Sequence, residues 1–89
     1  MTDTRRQKLK YRAAHRGFRE ADLIFGGFAE AYVDDMSEAQ LEEFERLMAV
    51  PDHDLYAWVV GRAETPDNYK SDVMDLMKGF RFDPSTAQM

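Results

Sequence analysis

Cysteine is absent from the 89-residue chain, so it can build no disulfide framework, zinc–thiolate site or thiol nucleophile. Histidine is scarce: His15 and His53 stand far apart, without HxxxH spacing, and no metal site is expected. β-Branched residues are few and period-two alternation is missing, which argues against a strand series. No apolar run approaches the ~18 residues that a membrane span requires. The basic N-terminus is followed by no apolar segment, so no secretory signal is expected. A phosphate-binding loop is missing too, because Gly26-Gly27 falls inside a helical pattern with no strand before it. No serine or threonine has a candidate base beside it, and the seventeen acids spread along what read as solvated faces. Catalysis is not expected, and a chain this short has little depth for a pocket.

What is present is a single domain with an uneven charge. A chain of this length buries only about 60% of the surface its unfolded form exposes, so its core is modest. Residues 1–19 carry seven Lys/Arg against one acid, and residues 20–89 carry five against sixteen. Two readings fit: the basic arm neutralises the acidic body, or it meets an anionic partner.

Five helices can be traced, predicting a small all-α five-helix bundle. The first covers about Thr4 to Ala14 with thin apolar content, Leu9, Tyr11 and Ala13, and is expected to lean only lightly on the body. The second covers about Phe18 to Val33, with Ala21, Ile24, Phe25, Phe28 and Tyr32 on one face and Glu20 and Asp22 in its first turn. Ser37 and Gln40 match a capping box that opens the third, whose apolar face is Leu41, Phe44, Leu47 and Met48. Pro51 stops it. Asp52 or Asp54 is expected to cap the fourth, which buries Leu55, Trp58 and Val59 and ends at Gly61; Tyr56 fits either core or surface. Thr65 and Pro66 read as the start of the fifth, with Tyr69, Val73, Leu76, Met77 and Phe80 on one face. One domain over residues 4–82 is expected, with flexible ends at 1–3 and 83–89.

Glycine appears where it needs explaining. Gly17 reads either as a helix stop or as a recognition corner, with Arg16, Arg19 and Glu20 around a backbone that another chain could approach closely. An arginine suits such a corner because its planar fork binds carboxylate or phosphate through two parallel bonds. Gly26 and Gly27 each cost a helix interior about 1 kcal/mol relative to alanine. Tight packing of a neighbouring helix on bare backbone is the favoured account, ahead of a bend.

At these residues the chain resembles the succinate dehydrogenase assembly factor family, known in bacteria as SdhE and with a mitochondrial counterpart. Its Arg-Gly-x-x-Glu motif stands here as Arg16, Gly17, Phe18, Arg19 and Glu20, followed by Asp22-Leu23-Ile24-Phe25. Downstream, LMAVPDHDLYAW is similar to the family's acidic turn with Asp54-Leu55-x-x-Trp58, and Val73-Met74-x-Leu76-Met77 matches its last helix. The likeness covers about residues 5 to 82.

The resemblance implies a five-helix fold and a chaperone that is not an enzyme. Such a chaperone promotes covalent attachment of FAD to a histidine of the succinate dehydrogenase flavoprotein subunit, and of fumarate reductase where present. It implies no stably bound FAD on this chain. The implied partner-binding residues are Arg16, Gly17 and Glu20, with Arg19 at a variable position and His15 and Arg12 alongside. Gly17 would admit the partner, flanked by Arg16 and Glu20. A cytoplasmic location is expected, or the mitochondrial matrix for a eukaryotic source. Two alternatives stay open. One is a nucleic-acid-binding or antitoxin-like module built on the basic arm, which the acidic body opposes. The other is a carrier that binds FAD directly.

Overall fold

The computed structural model describes residues 4–80, and these are all-α. Helix α1 spans Thr4–Ala14, α2 Arg19–Tyr32, α3 Glu38–Met48, α4 Asp52–Val60 and α5 Asp72–Gly79. Single 3-10 turns, Val33–Asp35 and Asp67–Tyr69, follow α2 and precede α5. The expected ends at 1–3 and 83–89, with the last two residues of the expected domain, lie outside the described residues.

The apolar spacing of each helix becomes the core. Leu9 and Ala13 of α1, Phe25 and Phe28 of α2, Leu41, Phe44 and Leu47 of α3, Leu55 of α4 and Val73 of α5 are all buried. Phe28 lies at the centre of an aromatic group, with Tyr32 at 4.8 Å, Phe44 at 5.7 Å and Phe80 at 5.9 Å between ring centroids. Met74 and Met77 close the core from α5, while Leu76 of the expected face is 36% exposed. Trp58 is half-buried and leans on the core rather than lying inside it.

The chain doubles back between α1 and α2. Arg6 near the start of α1 donates to the carbonyls of Val33 and Met36, just past the end of α2. Contact between these two helices is the most extensive in the described chain, so α1 is an integral part of the bundle rather than a lightly attached arm. Two causes were hidden in its thin apolar content. Small residues let the backbones close up: a Cβ on Gly26 would lie 3.0 Å from both Cα and Cβ of Ala14. Long basic side chains then reach over the gaps, with Arg5 forking onto Glu45 at 2.7 and 3.0 Å and Lys10 meeting Asp34 at 2.9 Å.

Helix ends follow local chemistry in two places and depart from it in two. The Ser37 hydroxyl accepts from the Gln40 amide, and the Gln40 side chain accepts from the Ser37 amide, the complete capping box. Gly61 closes α4 in the left-handed region at φ 86°. Pro51, however, takes the N-cap position of α4, and Asp52 and Asp54 lie in the first turn. There Asp52 is committed to Arg16, and both acids still face the positive end of the helix dipole.

The fifth helix starts late, at Ser71, whose hydroxyl accepts from the Met74 amide. Thr65 is instead buried, and Pro66 precedes an isolated 3-10 turn. Tyr69 in that turn meets Trp58 at 5.2 Å and carries the Arg46 guanidinium 4.6 Å over its ring. Arg46 also takes the Asn68 carbonyl, the acceptor that a helix running through this point needs for the amide four residues on.

Candidate functional site

The bend between α1 and α2 places the Arg-Gly-x-x-Glu residues together. Arg16 and Gly17 lie in the bend, Phe18 occupies the N-cap of α2 in an extended conformation, and Arg19 and Glu20 open α2. Asp22 fastens the bend from within the first turn, its carboxylate accepting from the Arg16 amide.

Arg16 is drawn inward. Its side chain is 6% exposed. Nη1 donates to the Met48 carbonyl at 2.8 Å, and Nη2 donates to the Val50 carbonyl at 2.8 Å and pairs with Asp52 Oδ1 at 2.6 Å. The guanidinium also lies 5.9 Å from the centre of the Phe25 ring. Nε is buried with no hydrogen-bond partner among the described residues. The expectation that Arg16 projects beside Gly17 is therefore corrected: the fork ties the bend to the turn between α3 and α4. Its planar donors match the Met48 carbonyl at the end of α3, the Val50 carbonyl in the turn that follows and a carboxylate at the start of α4.

Gly17 is exposed, and it is not a left-handed helix cap, since Gly61 is the positive-φ glycine of the described chain. A Cβ on Gly17 would come within 2.5 Å of Asp52 Oδ2.

Around this bend the outer surface carries Arg12, His15, Gly17, Arg19 and Glu20, all exposed. His15 stacks on Tyr11 with ring centroids 4.0 Å apart, and its Nδ1 is 2.8 Å from the Tyr11 carbonyl oxygen. His53 stacks nearly parallel on Phe18 at 4.6 Å, and Tyr56 meets Phe18 edge-on at 5.2 Å. Both histidines thus flank the bend, each fixed against an aromatic ring. A shallow depression beside them is lined by Tyr11, Arg12, His15, Arg16, Met48, Val50 and Asp52.

The sequence marks the bend, with Phe18 inside the motif, but not Tyr11, Asp52 and His53 as parts of it. For Asp52 a signal existed, since an acidic turn was part of the resemblance. For His53 none did, because its stacking on Phe18 joins distant parts of the chain; Tyr11 and His15, four residues apart, are a pair that helical spacing offers. The outer surface of the bend combines exposed cations, the exposed Glu20 carboxylate and stacked rings on a stapled backbone. No group of three or more His, Asp or Glu among the described residues is placed to hold a metal ion, and no described helix is long and apolar enough to cross a membrane.

Comparison with known proteins gives the surface a context. A family described as flavinator of succinate dehydrogenase matches residues 7–81. Succinate dehydrogenase assembly factor 2, mitochondrial, of Danio rerio is 38% identical over 80 residues, covering 88% of this chain and 51% of that protein. The protein of the same name in Dictyostelium discoideum is 34% identical over 73 residues, covering 82% of this chain and 52% of its own. FAD assembly factor SdhE of Acetobacter pasteurianus is 38% identical over 73 residues, covering 82% and 67%. The chain spans about half the length of the two mitochondrial relatives. With the family match running from the middle of α1 past the end of α5, through the stapled bend, the chain belongs to the flavinator of succinate dehydrogenase family.

Proposed function

We propose that this chain is a non-catalytic assembly factor that promotes covalent attachment of FAD to the flavoprotein subunit of succinate dehydrogenase, and of fumarate reductase where that enzyme is present. The observation that carries the proposal is the Arg-Gly-x-x-Glu bend, with Gly17, Arg19 and Glu20 exposed, in a chain of this family. The partner is met through Gly17, Arg19 and Glu20, with His15 and Arg12 beside them, while Arg16 serves from inside by fixing the backbone they stand on.

The physical logic needs no acid or base on this chain. Forming a flavin–protein bond requires the flavin and its target side chain to be held in one geometry, and much of the barrier is the entropy of that ordering. A rigid surface that binds the ordered form of the flavoprotein more tightly than its mobile forms shifts the population toward reaction. FAD is held by the partner and not stably by this chain. Its place of work is wherever the flavoprotein matures, in a bacterial cytoplasm or a mitochondrial matrix.

The decisive experiment co-expresses the flavoprotein with the chain in a host lacking its own factor and reads covalent flavin by in-gel fluorescence. Glu20→Ala should stay folded, losing only a few degrees in melting temperature because Glu20 is exposed and contributes just its charge at the start of α2, yet leave the flavoprotein dark. Bright flavoprotein with Glu20→Ala removes Glu20 from the interface; bright flavoprotein without any factor removes the function. Purified chain passed through gel filtration after incubation with FAD should retain no flavin absorbance.

A further inference from the structure

We infer that Gly17 is bare because Asp52 of its own chain occupies the room a side chain would take, which makes Asp52 the positioning residue of the bend. One oxygen of Asp52 pairs with Arg16 Nη2 at 2.6 Å. The other lies where the Gly17 Cβ would have to go, at 2.5 Å, with Asp52 Cγ 3.6 Å away. A single carboxylate thus has two jobs: it neutralises the guanidinium that holds the bend, and it fills the concavity of the bend.

The alternative is that the partner's backbone needs the room. Gly17 is exposed, but its side-chain direction is already taken by an atom of the same molecule, so a partner approaching from that side meets Asp52 first. Nor does conformation demand glycine, since Gly17 is outside the positive-φ region. Asp52 is also a poor candidate for moving aside. It sits at the first position of α4, and swinging its oxygen away from Gly17 takes the other oxygen off Arg16. Arg16 then keeps two carbonyls and loses its counter-charge in a nearly dry site.

The inference rests on the proposed function only in treating this bend as the partner's surface, and a steric test separates the two. Gly17→Ala alone should lower the melting midpoint of the isolated chain by about 5 °C or more and reduce covalent flavin on the partner. Asp52→Ala removes the carboxylate while leaving Gly17 in place, and is expected to lower the midpoint by itself. In the Asp52→Ala background, adding Gly17→Ala should then cause no further loss of melting temperature or of flavinylation. In an Asp52→Asn background the amide fills the same volume, so Gly17→Ala should remain as harmful as in the parent.

If Gly17→Ala removes flavinylation equally in the parent and in the Asp52→Ala chain, the partner requires the glycine and the inference is wrong. Equal melting losses in the parent, Ala and Asn backgrounds overturn it as well. The melting arm uses the isolated chain, so it stands or falls without reference to the function. Unlabelled flavoprotein with every chain, the parent included, would instead count against the functional proposal.

Discussion

Arg16 holds together two parts of the chain that lie 32 and 34 residues apart in sequence, through the carbonyls of Met48 and Val50. Lysine cannot substitute for it. An ammonium is a compact point charge, without the planar fork that reaches both carbonyls and Asp52 at once. Arg16→Ala should destabilise the chain by about 3 kcal/mol, the range expected when one partner of a largely buried pair is removed. Arg16→Lys should recover less than half of that loss. Urea denaturation followed by circular dichroism measures both, and a lysine variant as stable as the parent would show that charge alone holds the bend. The residue scale also explains why Phe18, at a variable motif position, is held in place: its ring stacks on His53 and meets the edge of Tyr56.

Between elements, the decisive contact is Gly26 against Ala14. In an isolated helix Gly26→Ala would gain about 1 kcal/mol. Here the new methyl would meet the backbone and Cβ of the last α1 residue at 3.0 Å, closer than ordinary carbon contacts. Backbone yields less readily than a side-chain tip, so the steric cost of overpacking, about 1–3 kcal/mol, exceeds the propensity gain. Gly26→Ala should therefore lower the urea midpoint, and Gly26→Val should lower it further. A rise with alanine would mean that α1 can slide outward, returning it to the lightly attached helix that its apolar content suggested. At α5 the competition between local and distant interactions is equally plain. Thr65-Pro66 is a sound helix start by local chemistry, yet the turn it opens is drawn onto Trp58 and beneath Arg46, and Ser71 takes over the cap.

Across the whole molecule, much of the basic arm is neutralised by the acidic body. Arg5 binds Glu38 and Glu45, Lys10 binds Asp34 and Arg16 binds Asp52, whereas Lys8, Arg12 and Arg19 form no salt bridge among the described residues. The two readings of the arm are thus divided between its residues. Those turned inward tie helices together, and Lys8, Arg12 and Arg19 are left exposed. Three such cations against an acidic body make a weak phosphate-binding footprint. Hydrogen bonding from Arg5 holds the Glu45 carboxyl below the ordinary glutamate range, with burial opposing it. A carboxyl depressed in the folded state contributes stability that is fully present above its unfolded pKa, about 4.3. That stability is lost as pH falls through the lower, folded value. Acid titration of the melting midpoint should accordingly show a shallower fall below about pH 4.3 for Glu45→Gln than for the parent. Parallel acid limbs would mean that Arg5 does not distinguish the charged carboxyl from the neutral amide.

Sequence by itself determined the helical class, the buried faces of α2 and α3, the capping box at Ser37, the stop at Gly61 and the placing of the motif at a bend. Each depends on interactions within a few residues, either the period that puts apolar side chains on one face or the reach of a hydroxyl to an amide three positions on. Only the tertiary structure decided that Arg16 points inward, that Gly17 makes room for Asp52, that Gly26 receives Ala14 and that α5 begins at Ser71. Those outcomes are set by groups brought together from distant parts of the chain. A buried charge or a bare backbone takes its meaning from the neighbour it meets, and that neighbour is fixed only when the helices pack.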